Sequence, residues 1–216
     1  MRGVFVTGTG TEVGKTVAAA VIARTHAEAG ERVAVFKPAV SGLDEGGEPD
    51  HALLRRASGS EQSDDEIAPY RYGPPVSPHL GAELAGERIE PRRLVDAAHA
   101  AAARGDFLVG EGVGGLLVPL TLGYLVRDLA RDLALPLVIA APPGLGTINH
   151  TLMTIEAARA VGLEVAAVVL TPWPANPSTV EASNREAIER LGAVRVETLA
   201  RIDPGDAERW PALDLP

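Results

Sequence analysis

Cysteine is absent from the 216 residues, which excludes disulfides, thiol nucleophiles and cysteine-based metal sites. No apolar run approaches the ~18 residues that a membrane span requires, so no membrane partner is expected. Positive charge is in deficit, with 20 Lys+Arg against 29 Asp+Glu, a net charge of −9 and a pI near 5.1. That balance argues against a nucleic-acid partner. Met1-Arg2-Gly3 runs directly into the first apolar stretch and leaves no room for a signal peptide; a cytoplasmic location is the expectation. The five histidines (His26, His51, His79, His99, His150) show no His-x-x-x-His spacing, and Gly-x-Ser-x-Gly is missing, so neither a zincin nor a nucleophile-elbow hydrolase is indicated. Lysine is the most informative scarcity. Eighteen of the 20 basic residues are Arg and only Lys15 and Lys37 are Lys. A chain that solvates its surface with Arg keeps a compact, flexible ammonium for particular places.

What is present begins at Val4. The stretch Val4-Phe5-Val6-Thr7-Gly8-Thr9-Gly10-Thr11-Glu12-Val13-Gly14-Lys15-Thr16-Val17 is an apolar run, a Gly/Thr-rich loop and the opening of an Ala-rich segment. Strand, loop and helix in that order are the setting of a phosphate-binding loop. A helix start offers unpaired N–H groups and the positive end of its dipole to an anion. Lys15 adds a charge for the outer phosphates, and the Thr16 hydroxyl suits Mg²⁺. The usual Gly-x4-Gly-Lys-Ser/Thr spacing is exceeded by one residue, since the first glycine is Gly8.

Hydrophobic periodicity predicts strands at Val4–Thr7, Arg32–Phe36, Asp106–Gly110, Leu135–Ala141, Leu163–Leu170 and Ala193–Leu199. Helices are predicted at Thr16–Ala29, Asp50–Ala57, Pro91–Arg104, Thr147–Val161 and Ser178–Leu191, with an exposed, Arg/Asp-patterned helix at Tyr124–Leu133. Ala39–Asp50 and the proline-rich Ser58–Pro78 read as loops, Pro172, Pro174 and Pro177 mark another, and the tail from Arg201 reads as polar. Trp173 and Trp210 could stack on a base, and packing is the favoured role for both. Alternating strands and helices, with no repeat and no linker, predict one α/β domain over residues 1–216, its mainly parallel sheet flanked by helices on both faces, P-loop NTPase-like. In such folds ligands sit outside the carboxyl ends of the strands. That rule selects Gly8–Thr16, Lys37–Ser41, Glu111–Gly115, Pro142–His150 and Thr171–Pro174. Lys37 precedes Pro38 and so belongs at a strand end. Glu111, beside glycines, stands where a metal-binding acid is expected; Asp50 reads equally well as a metal ligand or as a helix cap.

These motifs, in this order, resemble the dethiobiotin synthetase family: Val6-Thr-Gly-Thr-Gly-Thr-Glu-Val-Gly-Lys-Thr16, Phe36-Lys-Pro-Ala-Val-Ser-Gly42, Ser77-Pro-His79, Glu111-Gly-Val-Gly-Gly115 and Gly146-Thr-Ile-Asn-His150. The longer phosphate loop is that family's own variant. The resemblance implies ATP-dependent closure of a ureido ring on 7,8-diaminononanoate with CO₂, through a carbamate and a carbamic–phosphoric anhydride. It implies that Lys37 binds carbamate and γ-phosphate and Lys15 the phosphate chain. Thr16, Asp50 and Glu111 would hold Mg²⁺. The nucleotide would lie on Glu12, Val13, Gly14, Lys15, Thr16, Val17, Asp50, Glu111, Gly112 and Gly114. Thr11 and Ser41 would contact the diamine and carbamate. A homodimer is implied, with the partner's Gly146–Asn149 completing the substrate site and Asn149 meeting the substrate carboxylate. Thr171-Pro172 departs from the Asn-Asp pair that many members carry in the base pocket. Two rivals fail on what is missing. A cobyrinic-acid-type amidase needs a glutaminase cysteine, and a partition-type ATPase needs a lysine where Gly10 stands.

Overall fold

In the computed structural model, which describes residues 1–215, the chain runs β1 (Gly3–Gly8), α1 (Lys15–Glu28), β2 (Val33–Phe36), α2 (Asp50–Ser58), α3 (Asp64–Ile67), α4 (Pro78–Leu84), α5 (Pro91–Ala102) and β3 (Phe107–Gly115). It continues through β4 (Pro119–Thr121), β5 (Tyr124–Leu125), α6 (Val126–Leu133), β6 (Leu137–Ala141), α7 (Thr147–Arg159), β7 (Val165–Trp173), α8 (Thr179–Gly192) and β8 (Arg195–Ala200). The six-stranded sheet has the order β2-β3-β1-β6-β7-β8, and every pairing in it is parallel. Among the described residues no helix is long and apolar enough to cross a membrane.

Alternate strand residues enter opposite faces, as the pleat requires. Val4 and Val6 join Ala18–Ala23 of α1 and Leu53 and Leu54 of α2 on one face. Phe5 joins Leu94 of α5 and Leu129 of α6 on the other. Helix α1 is buried on nearly all sides, which explains why it is Ala-rich rather than amphipathic. The outer edge of β2 is covered by one side chain. Gln62 accepts from the Val35 N–H at 2.8 Å and donates to the Val35 carbonyl at 3.0 Å.

Six departures from the sequence expectations have a local reason in the fold. The helix expected at Tyr124–Leu133 begins only at Val126, after a short hairpin, and is not simply exposed: Val126, Leu129, Ala130 and Leu133 are buried while Arg131 and Asp132 face outward. The region Ser58–Pro78, expected to be irregular, contains α3, and α4 follows it on the Ser77-Pro78 start. Strand β3 continues through Gly115, because its glycines lie alongside Gly8 of β1. Strand β7 passes through Pro172 to Trp173. A register shift between Leu170 and Trp173 accommodates the residue without an N–H. Strand β8 starts at Arg195, since Ala193 closes α8 in a left-handed conformation. The tail is not merely polar, for Trp210, Leu213 and Leu215 are buried in the core around α1. Leu213 N–H donates to Thr25 Oγ1 at 2.9 Å, and the Leu215 carbonyl lies 3.0 Å from His26 Nε2.

Candidate active site

The strand order changes direction at β1. The chain goes from β1 outward to β2, returns through β3, then crosses to β6 on the other side. The loops leaving β1 and β3 therefore open a crevice at the carboxyl edge of the sheet. The Gly8–Lys15 loop lies in it. Gly14 is the N-cap of α1 with φ 88°, and no side chain caps that end. A Cβ on Gly14 would lie 2.4 Å from Thr171 Cγ2, so both the backbone conformation and the space demand glycine. The amide groups at the head of α1 are thus left without side-chain partners at the point where the dipole favours an anion. Glu12 holds φ 58°, an uncommon conformation for a residue with a side chain.

Both lysines are buried, at 7% exposure for Lys15 and 3% for Lys37. Lys15 Nζ folds back and donates to the Gly10 carbonyl at 2.8 Å. Lys37 Nζ lies 2.7 Å from Glu111 Oε1 and 2.8 Å from Asp50 Oδ2, with the Gly112 carbonyl at 3.4 Å. Thr16 Oγ1 donates to the same Glu111 Oε1 at 2.8 Å. Four elements thus meet: Lys37 directly follows β2, β3 carries Glu111, α1 begins with Lys15 and Thr16, and α2 begins with Asp50.

The two ammonium groups respond differently to burial. Burial lowers the pKa of Lys15, with Lys37 adding to the effect and Glu111 and Asp50 opposing it. Burial works against the charge on Lys37 too, but Glu111 and Asp50 outweigh it and its pKa is raised. Burial raises the pKa of Glu111 against the pull of Lys37. For half-exposed Asp50, burial is outweighed by Lys37 and the carboxyl is lowered.

Glu111 is fully buried, yet its Oε2 has no hydrogen-bond partner. An orphaned buried carboxylate oxygen is costly unless something outside the protein satisfies it. Thr16 Oγ1, Glu111 and Asp50 offer the hard oxygen donors and the one or two carboxylates that Mg²⁺ takes when phosphate and water complete its shell. Among the described residues there is no cluster of three or more His, Cys, Asp or Glu suited to a cation, so any metal here would depend on the Thr hydroxyl and a ligand.

Two cavities adjoin the loop. One of about 570 Å³ is lined by Thr11, Glu12, Ser41, Glu45, Ser77 and Gly114, among others. A second of about 480 Å³ runs from Gly8–Thr11 past Leu116, Leu117 and Val118 to His150 and Met153. Val13 and Val17 pack against the core beside the loop, and Gly112 and Gly114 continue β3 next to it. Of the sequence-predicted residues, only Asn149 stands apart. It is exposed near the head of α7 and lines neither cavity. The residues not anticipated are Glu45 and the apolar wall Leu116–Val118. The second had a signal in the Leu-Leu-Val run that follows a glycine-rich strand end.

A family model described as an AAA domain matches residues 2–209. The ATP-dependent dethiobiotin synthetase BioD of Anaeromyxobacter dehalogenans (strain 2CP-C) is 41% identical over 213 residues, 99% of this chain and 96% of that protein. The protein of the same name from Bacillus cereus (strain B4264) is 39% identical over 99% of this chain and 89% of its own. Among solved structures, the cell division protein FtsY of Thermotoga maritima superposes with a TM-score of 0.54 at 15% identity, covering 99% of this chain and 65% of that one. The kinase domain of the Escherichia coli tyrosine kinase ETK gives 0.53 at 16% identity, covering 82% of this chain and 70% of that one. These two likenesses concern the P-loop NTPase-like fold alone.

Proposed function

The chain belongs to the ATP-dependent dethiobiotin synthetase family, and from that premise we propose that its buried two-lysine crevice performs the family's ATP-dependent ring closure of biotin biosynthesis, on 7,8-diaminononanoate and CO₂. One amine of the diamine carries CO₂ as a carbamate. A carbamate oxygen takes the γ-phosphoryl group of ATP. The second amine then attacks the carbonyl carbon, the bond from that carbon to the phosphorylated oxygen breaks, and dethiobiotin, ADP and phosphate result.

The observation that carries this reading is Lys37, a buried ammonium held 2.7 Å from Glu111 and 2.8 Å from Asp50 at the mouth of a phosphate loop. Two anions, carbamate and triphosphate, repel one another, and catalysis of phosphoryl transfer consists largely of positioning and charge neutralisation. Lys37 faces the carbamate and the γ-phosphate. Lys15, on breaking its bond to Gly10, reaches along the phosphate chain, which the amides from Glu12 to Val17 enclose together with Gly112 and Gly114. Thr16, Asp50 and Glu111 would hold Mg²⁺, which supplies neutralisation of phosphoryl charge when bound. Thr11 and Ser41 orient the diamine end in the cavity they line.

Residues 1–216 act in this reading as one cytoplasmic domain that works as a homodimer. The exposure of Asn149, and of its neighbour Leu145 at 96%, supports a role for Gly146–Asn149 toward a second copy. There Asn149 would bind the substrate carboxylate across the interface. Sedimentation analysis tests the dimer. The main test is ATP turnover, which is expected to require diaminononanoate, bicarbonate and Mg²⁺ together, with dethiobiotin detected by mass spectrometry. ATP hydrolysis indifferent to the diamine would overturn the assignment.

A further inference from the structure

Ring closure expels a proton. The attacking amine nitrogen becomes positively charged as its bond to the carbonyl carbon forms, and it must lose one hydrogen before the urea nitrogen is neutral. Of the carboxylates in the crevice, Glu111 bonds Lys37 and Thr16 through Oε1 and Asp50 bonds Lys37, and in this reading both would hold Mg²⁺. Lys15 and Lys37 are cations. None of these groups explains where the proton goes.

Ser77 and His79 are the polar pair that the site description leaves without a role. Ser77 lines the same cavity as Thr11 and Ser41. It is also the N-cap residue of α4, where a serine ordinarily accepts from a helix amide, as Ser178 does from the Glu181 N–H at the head of α8. Ser77 makes no such bond. Its Oγ lies instead 2.9 Å from His79 Nδ1. His79 in turn lines a different cleft, of about 570 Å³. One hydrogen bond thus joins the substrate cavity to a second, open cavity.

We propose that Ser77 and His79 form a proton relay for the ring-closing step. The inference rests on the reading of the site as a dethiobiotin synthetase centre. As the C–N bond forms, the amine hydrogen passes to Ser77 Oγ while the Ser77 hydroxyl hydrogen passes to His79 Nδ1. Meanwhile the electron pair of the breaking C–O bond leaves with phosphate. The imidazolium then releases its proton from Nε2 to water in the outer cleft. Around His79 that cleft presents Glu83 of α4 and then Glu87, Arg88 and Glu90, while Leu120, Thr121 and Leu122 bring no charge. On the substrate side the charged lining groups are Glu12 and Glu45.

The test is single-turnover dethiobiotin formation by the full-length enzyme across pH 5.5–9, in wild type, His79→Asn, His79→Ala and Ser77→Ala. General-base losses are typically 10²–10⁴-fold, and His79→Asn should lose rate on that scale, with a pH profile that differs from wild type. The Michaelis constants for ATP and diamine should change little. Because His79 borders an open cleft, added imidazole should restore a good part of the rate to His79→Ala and none to Ser77→Ala. A His79→Asn enzyme with wild-type rate and pH profile would overturn the relay. So would a loss that is equal at every pH, accompanied by a lower melting temperature and insensitive to imidazole, since that describes a structural pair. Failure of the wild type to make dethiobiotin would instead overturn the functional reading itself.

Discussion

The two ends of the β2–β3 strand pair carry the same kind of contact and put it to opposite uses. At the amino end, Arg32 and Asp106 stand just before β2 and β3 and pair at 2.7 Å, with side-chain exposures of 72% and 47%. At the carboxyl end, Lys37 and Glu111 pair at the same 2.7 Å with exposures of 3% and 0%. Distance does not distinguish them; solvent and side-chain type do. The Arg32 guanidinium makes two bonds to the Asp106 carboxylate in a fixed fork, and water screens the pair, so it contributes little beyond aligning the strands. The buried pair was stripped of water at a cost that its own attraction need not repay. It also leaves Glu111 Oε2 without a partner. One end is a clasp. The other leaves a buried oxygen unsatisfied.

The sharpest way to break the comparison is at Lys37. Lys37→Gln should lower dethiobiotin formation by about 10³-fold or more, on the scale of a lost charge contact to a transferring phosphoryl group. It should also cost about 3–5 kcal/mol of stability, because Glu111 is left buried and unpaired; mass spectrometry of product and a denaturant melt check the two parts. Lys37→Arg should keep the charge and still lose most activity, since a planar fork does not replace a point ammonium, whereas Arg32→Lys should leave turnover unchanged. The next effect lies at the amino end. Leu213→Ala, in the tail that packs on α1, should cost about 2–5 kcal/mol with little change in the Michaelis constant for ATP. The smallest effect concerns pH. The Arg32 side-chain bond holds the Asp106 carboxyl at about 2, below its ordinary 3.8. A depressed carboxyl stabilises the fold above its unfolded value, and that contribution disappears as pH falls from about 4 to about 2. Asp106→Asn should therefore flatten the acid limb of a melting-temperature profile over that interval and do nothing near pH 7.

Much of this contrast was legible in the chain. The scarcity of lysine pointed to Lys15 and Lys37, and strand-end position pointed to Glu111. Asp50 gained its place only from the family pattern, because a helix-opening aspartate has a sufficient local reason to be there. What stayed hidden was non-local. The Arg/Asp alternation after Tyr124 concealed that Val126, Leu129 and Leu133 face the core. The charged spelling of the tail concealed three buried apolar residues spaced along it. The Ser77–His79 contact needed the geometry of α4, since nothing in a Ser-Pro-His triplet says which way the hydroxyl turns.

The Gln62 side chain bears on a different matter, the fate of the enzyme at high concentration. A parallel sheet ends in an edge whose free amides and carbonyls can recruit another chain. Here the amide of Gln62 occupies both backbone groups of Val35, acting as a single residue of a seventh strand that the protein never builds. The opposite edge, β8, places the charged pair Arg195 and Glu197 along its length. The sheet is therefore closed to growth at one border by a borrowed amide and at the other by charge.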